Sequence, residues 1–73
     1  MDKKRLIAKV RKAGQKAAAA ALADLLGISR VSISKKLNSI VQFKPDEIDA
    51  IREWLGLTDT ETVEIFIKGE KRQ

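Results

Sequence analysis

LADLLGISRVSISKKLN, residues 22–38, reads as two helices joined by a tight turn, the second built to lie against something outside the core. Leu22, Ala23 and Leu26 recur at helical spacing and form a small apolar face. Gly27 follows at once, where a helix end takes a residue free to adopt positive φ. Ile28 then folds back onto Leu22, the contact that accompanies such a cap. Ser29 starts the next helix as an N-cap, its hydroxyl accepting from a free backbone N–H one turn in. Ile33 and Leu37, four apart, point inward. Arg30, Ser32, Ser34, Lys35 and Asn38 remain outside, carrying donors and no acidic group. The spacing therefore predicts a helix-turn-helix whose outer helix is polar and basic.

The pattern Leu22-Ala23, Gly27-Ile28-Ser29, Ile33-Ser34, Leu37-Asn38 resembles the lambda-repressor-like (Cro/repressor, XRE-type) family of phage and bacterial regulators. The likeness covers the middle quarter of the chain directly. Small size puts the chain nearest in kind to the short repressors and modulator-of-repression proteins of temperate phages. The resemblance implies an all-α bundle of about five short helices around the central helix-turn-helix. It also implies operator binding in a lysis–lysogeny switch, by steric control of promoters rather than by chemistry. One departure stands out. Counting back from Gly27, Ala18 and Ala19 occupy positions where relatives carry a Ser/Thr cap and a glutamine that contacts DNA backbone. Neither alanine can hydrogen-bond through its side chain. Gln15 and Lys16, just upstream, are the substitutes within reach.

Composition narrows the function classes. Seventy-three residues suffice for one small domain that buries roughly 60% of its unfolded surface, with no room for an enclosed enzyme cleft. Frequent Ala, Leu, Ile and Lys with few aromatics favour helices. The chain has no cysteine and no histidine, so it lacks thiolate metal ligands and the commonest general base. Its loose carboxylates, Asp46, Glu47 and Asp49, fit capping and solvation rather than acid–base work. We expect no enzyme activity and no cofactor. No apolar run approaches the ~20 residues of a membrane span, and the opening MDKKR lacks a signal-peptide core. A cytoplasmic setting, in a bacterial host, is the expectation.

Charge is divided unevenly. Residues 1–16 hold seven Lys/Arg against one Asp, and residues 17–45 hold four against one. Residues 46–73 hold four against eight. A basic front and an acidic back suggest one surface for a polyanion and another for a different partner. The plainer reading of the same charge is a solvated surface that keeps a small domain soluble.

Outward from the central stretch, Asp2 is an N-cap for a first helix over about 3–13. Its apolar stripe is Leu6, Ile7 and Val10, and Gly14 ends it. Such a basic amphipathic helix can lie on a membrane, but this face is narrow and without aromatics, so packing against the domain is expected. The alanine-rich run feeds a second helix over about 16–26. The outer helix spans about 30–38. Beyond it, Asn38 is expected to take the left-handed cap position, and Ile40 and Phe43 to plug the core. Pro45 opens a fourth helix, about 45–55, with Asp46 and Glu47 in its first turn and Phe43 and Ile48 spaced as a staple. Ile48, Ile51 and Leu55 form its buried stripe, and Gly56 closes it. Trp54 lies at the stripe's edge, covering the core or serving a protein contact. Residues 59–67 read as a fifth helix, although Val63, Ile65 and Ile67 also alternate as a strand would. On either reading Ile65 or Phe66 is left over for a subunit or partner interface. The domain is expected to span 1–68, with a charged tail at 69–73.

In a docked helix of this kind the first turn points into the major groove. Arg30 suits the paired acceptors of guanine, and Val31 a thymine methyl. Ser34 and Lys35 face the same groove one turn on. Ser29, Ser32 and Asn38 serve caps and phosphates, and Lys36 and Lys44 add charge near the backbone. The expected partner is double-stranded DNA, bound by a homodimer because one domain offers too few base contacts. The competing expectation is a modulator that binds a partner repressor protein through Trp54, Ile65 and Phe66.

Overall fold

Asp2 begins the first helix by accepting the Arg5 N–H on Oδ1 at 3.1 Å, satisfying one of the donors that a helix start leaves free. The structure, a computed structural model, describes residues 1–14 and 17–67. The helices are α1 (Lys3–Lys12), α2 (Ala18–Leu26), α3 (Arg30–Leu37), α4 (Pro45–Leu55) and α5 (Asp59–Thr62). The last runs into a π-helical segment, Val63–Ile67. Among the described residues there is no strand. The chain is an all-α bundle of about five short helices, as its patterning predicts. Gln15, Lys16 and the tail at 68–73 lie outside the described residues.

Side chains drawn from all parts of the chain close the core. Leu6, Val10, Leu22, Ile33, Ile51 and Ile65 have no solvent-accessible surface, and burying each is worth roughly 1.5–3 kcal/mol. Helix α2 packs against α3 and α4, while α1 bridges α2 and the π-helical segment.

The turn at residues 27–29 forms as its residues dictate. Gly27 sits at φ +67°, and the Ile28 N–H donates to the Ala23 carbonyl at 3.1 Å, so the end of α2 is tied back on itself. Gly56 repeats the device, with the Leu57 N–H on the Arg52 carbonyl at 3.0 Å. Ser29 Oγ accepts the Ser32 N–H at 3.1 Å and caps α3.

Three expectations fail on particular residues. Asn38 keeps φ at −93°, and Ser39 takes the left-handed position at φ +61°. The Ile40 N–H then reaches the Lys35 carbonyl at 2.9 Å, closing α3 as the glycines close α2 and α4. Ile40 does not plug the core but lies 72% exposed. Phe43 does pack, meeting Phe66 edge-on with ring centroids 5.6 Å apart.

Ile65 and Phe66 are the third case. Both are buried, so neither is left over for a partner. A helical course explains this: Thr62, Ile65 and Phe66 fall on one side, and Val63 and Ile67 face out. Thr58 nucleates that course through a reciprocal cap. Its hydroxyl accepts the Glu61 N–H at 3.1 Å, and Glu61 Oε1 accepts the Thr58 N–H at 3.0 Å. The Asp2 N–H donates to the Ile65 carbonyl at 2.7 Å, pinning the front of the chain to its back.

Candidate nucleic-acid interface

Helix α3 divides sharply between inside and outside. Ile33, Lys36 and Leu37 are buried, while Arg30, Val31, Ser34 and Lys35 are exposed and Ser32 is half-buried. Val31, a large aliphatic residue, is 67% exposed. Nothing in the fold's own packing asks for it there. Among the described residues Arg30 and Lys35 make no ion pair. The helix therefore presents a guanidinium, an ammonium, a hydroxyl and one apolar side chain, none committed to holding the domain together.

The ends of α3 are firmly held. Ser29 and Ser32 also meet through their hydroxyls at 3.2 Å, so both serve the cap before any ligand. At the other end Asn38 Oδ1 accepts from Lys3 Nζ at 2.8 Å. This contact brings the start of α1 beside the end of α3. Residues 35 positions apart meet there, so local spacing carries no sign of it. Asn38 keeps its amide N–H groups as donors for an acceptor outside.

Lys36 departs from its expected role near a phosphate backbone. It is only 7% exposed, and its ammonium donates to Glu47 Oε1 at 2.9 Å. The same oxygen accepts the Lys44 N–H at 2.9 Å. Lys36 Nζ also reaches the Gln42 carbonyl at 3.5 Å and stands 5.8 Å from the Phe43 ring centre. Burial by itself would raise the Glu47 pKa. The Lys44 N–H and the Lys36 ammonium overcome this and hold it below its ordinary value. Lys36 is thus a structural residue. The reason is positional: at residue 36 the helix has turned back toward the core beside Ile33 and Leu37. Lys44 remains exposed at the N-cap of α4.

The start of α2 lacks a polar cap. Ala17 occupies the N-cap, one residue before the position counted from Gly27, and no side chain accepts the free N–H groups there. Ala18 is buried and Ala19 half-buried. Trp54 is half-buried and packs against the core. A cleft of about 190 Å³ opens among Val41, Phe43, Ile48, Phe66 and Ile67, and Trp54 does not line it. Among the described residues no cluster of His, Cys, Asp and Glu is arranged to hold a metal, and no helix is long and apolar enough to cross a membrane.

No family model, curated protein or solved structure significantly matches the chain.

Proposed function

We propose that this chain is a DNA-binding transcriptional regulator of the phage and bacterial repressor type, with α3 as the helix that enters the major groove. The observation that carries this reading is the row of exposed, uncommitted side chains on α3: Arg30, Val31, Ser34 and Lys35. They sit on a helix fixed at both ends, so a ligand would meet preorganised groups. Arg30 would read guanine through its paired donors, Val31 a thymine methyl, and Ser34 and Lys35 the next bases or phosphates. Ser29, Ser32, Asn38 and Lys44 would position the helix on the backbone. A two-fold dimer on a palindromic site would supply the remaining contacts. The expected action is occlusion of a promoter, with no chemistry and no cofactor. This role calls for a chain that stays in the cytoplasm.

The direct test is fluorescence anisotropy of the purified chain on a duplex from its own gene's upstream region and on a random duplex, at two salt concentrations. Binding that favours the upstream duplex and falls steeply with salt supports the reading. Weak and equal binding to both overturns it.

A second reading has its own observation behind it. Ile40, Val41 and Ile67 are large, apolar and exposed, and the uncapped start of α2 gives a DNA backbone only bare N–H groups. Both fit a modulator that works by binding a partner repressor protein. In that case the chain alone would bind no duplex, and pull-down with the neighbouring repressor would recover it.

A further inference from the structure

Helix α1 carries its cations on two flanks, and the fold treats the flanks differently. On one, Arg5 pairs with Glu64 at 2.7 Å and Lys9 with Glu61 at 2.5 Å. Both carboxylates come from the acidic end of the chain. On the other flank Lys4, Arg11 and Lys12 border Ile7 and Ala8. All three cations are exposed, and among the described residues none meets a carboxylate. Glu61 and Glu64 thus neutralise the cations on one face of α1, and the adjoining solvent face of Lys4, Arg11 and Lys12 is left without a carboxylate among the described residues. Lys3, at the front of the same helix, reaches Asn38 at the end of α3. The bare flank therefore begins beside the helix that we assign to the major groove.

We infer that the Lys4–Arg11–Lys12 flank of α1 is a second contact surface for duplex DNA, binding phosphates of the strand that leaves the groove beside Asn38. The inference rests on the DNA reading of α3 and extends it. From residue 4 to residue 12 the helix rises about 12 Å, at ~1.5 Å per residue. That length faces three to four phosphates of one strand, at roughly 3.4 Å of axis per charge. Lysine and arginine at such spacing neutralise phosphates without reading sequence. An anionic membrane fits less well. Leu6 and Val10, the apolar residues that a surface helix would insert, are wholly buried in the core. Ile7 and Ala8 alone offer too little area.

The test compares wild type, Arg30→Ala and a triple variant, Lys4→Gln with Arg11→Gln and Lys12→Gln, by anisotropy on the upstream and random duplexes across salt. Circular dichroism checks that the variants fold. For the triple variant we expect both duplexes to weaken by the same factor. The plot of log affinity against log salt should become shallower by about 2–3, close to 0.9 for each phosphate that the variant no longer neutralises. Preference for the upstream duplex should not change. If wild type binds neither duplex, the α3 reading and this inference fall together. If Arg30→Ala loses preference while the triple variant keeps the wild-type slope, the inference alone falls. An unchanged slope with altered sedimentation would mean that the flank meets the acidic half of a second copy, and would likewise overturn it.

Discussion

The Lys36 ammonium and the Glu47 carboxylate meet at 2.9 Å with side chains only 8% and 14% exposed, joining the last turn of α3 to the first turn of α4. Glu47 is the hub of this contact. It takes the Lys44 N–H and the Lys36 ammonium on one oxygen, so it caps α4 and anchors α3 together. Phe43, packed below the lysine, links the pair to Phe66 and so to the end of the chain.

Removing one member of a closed pair leaves the other charged and poorly solvated. Lys36→Ala should therefore destabilise the domain by roughly 2–4 kcal/mol. Lys36→Met should cost less, because the aliphatic stem would still pack beside Phe43. Urea denaturation followed by circular dichroism measures both. A loss under about 0.5 kcal/mol for the alanine variant, the size of an ordinary surface change, would show that the pair holds nothing.

Acid should weaken the fold through two glutamates. Hydrogen bonding by the Lys9 ammonium, then by the Thr58 N–H, pulls the Glu61 pKa from 4.5 to about 2, and Glu47 is lowered too. A carboxylate with a depressed folded-state pKa stabilises the fold above its unfolded value and loses that contribution as pH falls through the folded one. Stability should hold above about pH 4.5 and decline toward about pH 2. Lys9→Gln should flatten the decline, since it removes the largest lowering influence on Glu61. Thermal melts across this range would read it, and identical profiles for the two proteins would refute the assignment.

The architecture was legible where local chemistry decides it. Gly27, Ser29, Pro45 and Gly56 each mark a helix boundary by a conformational or hydrogen-bonding demand of their own, and the boundaries fall where those residues put them. The exchange of Asn38 for Ser39 at the end of α3 is a local backbone choice, whereas the errors at Phe66 and Lys36 concern choices made by more distant parts of the chain. Whether Phe66 is core or surface depends on Phe43, and whether Lys36 is free depends on Glu47. The fifth helix lay between two periodicities; a cap at Thr58 or Asp59 was legible in the sequence, and the reciprocal Thr58–Glu61 bonds bear out Thr58. On the candidate interface, the exposure of Arg30, Val31, Ser34 and Lys35 followed from helical spacing. The Lys3–Asn38 contact and the two unlike flanks of α1 did not, because each needs a tertiary partner. The excess of cations before residue 17 was the only sequence sign of that surface.

Ser39 occupies backbone space that glycine takes at no steric cost. Its φ of +61° costs an L-residue about 1–2 kcal/mol, and glycine gives back part of this through the entropy of its unfolded chain. Ser39→Gly should stabilise the domain by roughly 0.5–1 kcal/mol. The urea midpoint should rise with an unchanged slope. A fall in the midpoint would mean that the Ser39 side chain holds the α3 end in some way its backbone does not reveal.

Arg30 separates recognition from folding. It lies exposed in the first turn of α3, beyond the Ser29 cap, with no ion pair among the described residues. Arg30→Ala should leave the melting temperature within the small range of a surface change. If the guanidinium reads a guanine, the same change should cost about 1–3 kcal/mol on the preferred duplex, about a 5- to 150-fold loss. On random duplex the loss should be smaller and follow salt, as for any one cation. Lys35→Ala, one turn further on, provides the comparison. A larger effect of Lys35 than of Arg30 on preference would move the reading position along the helix, and no effect of either would remove α3 from the groove.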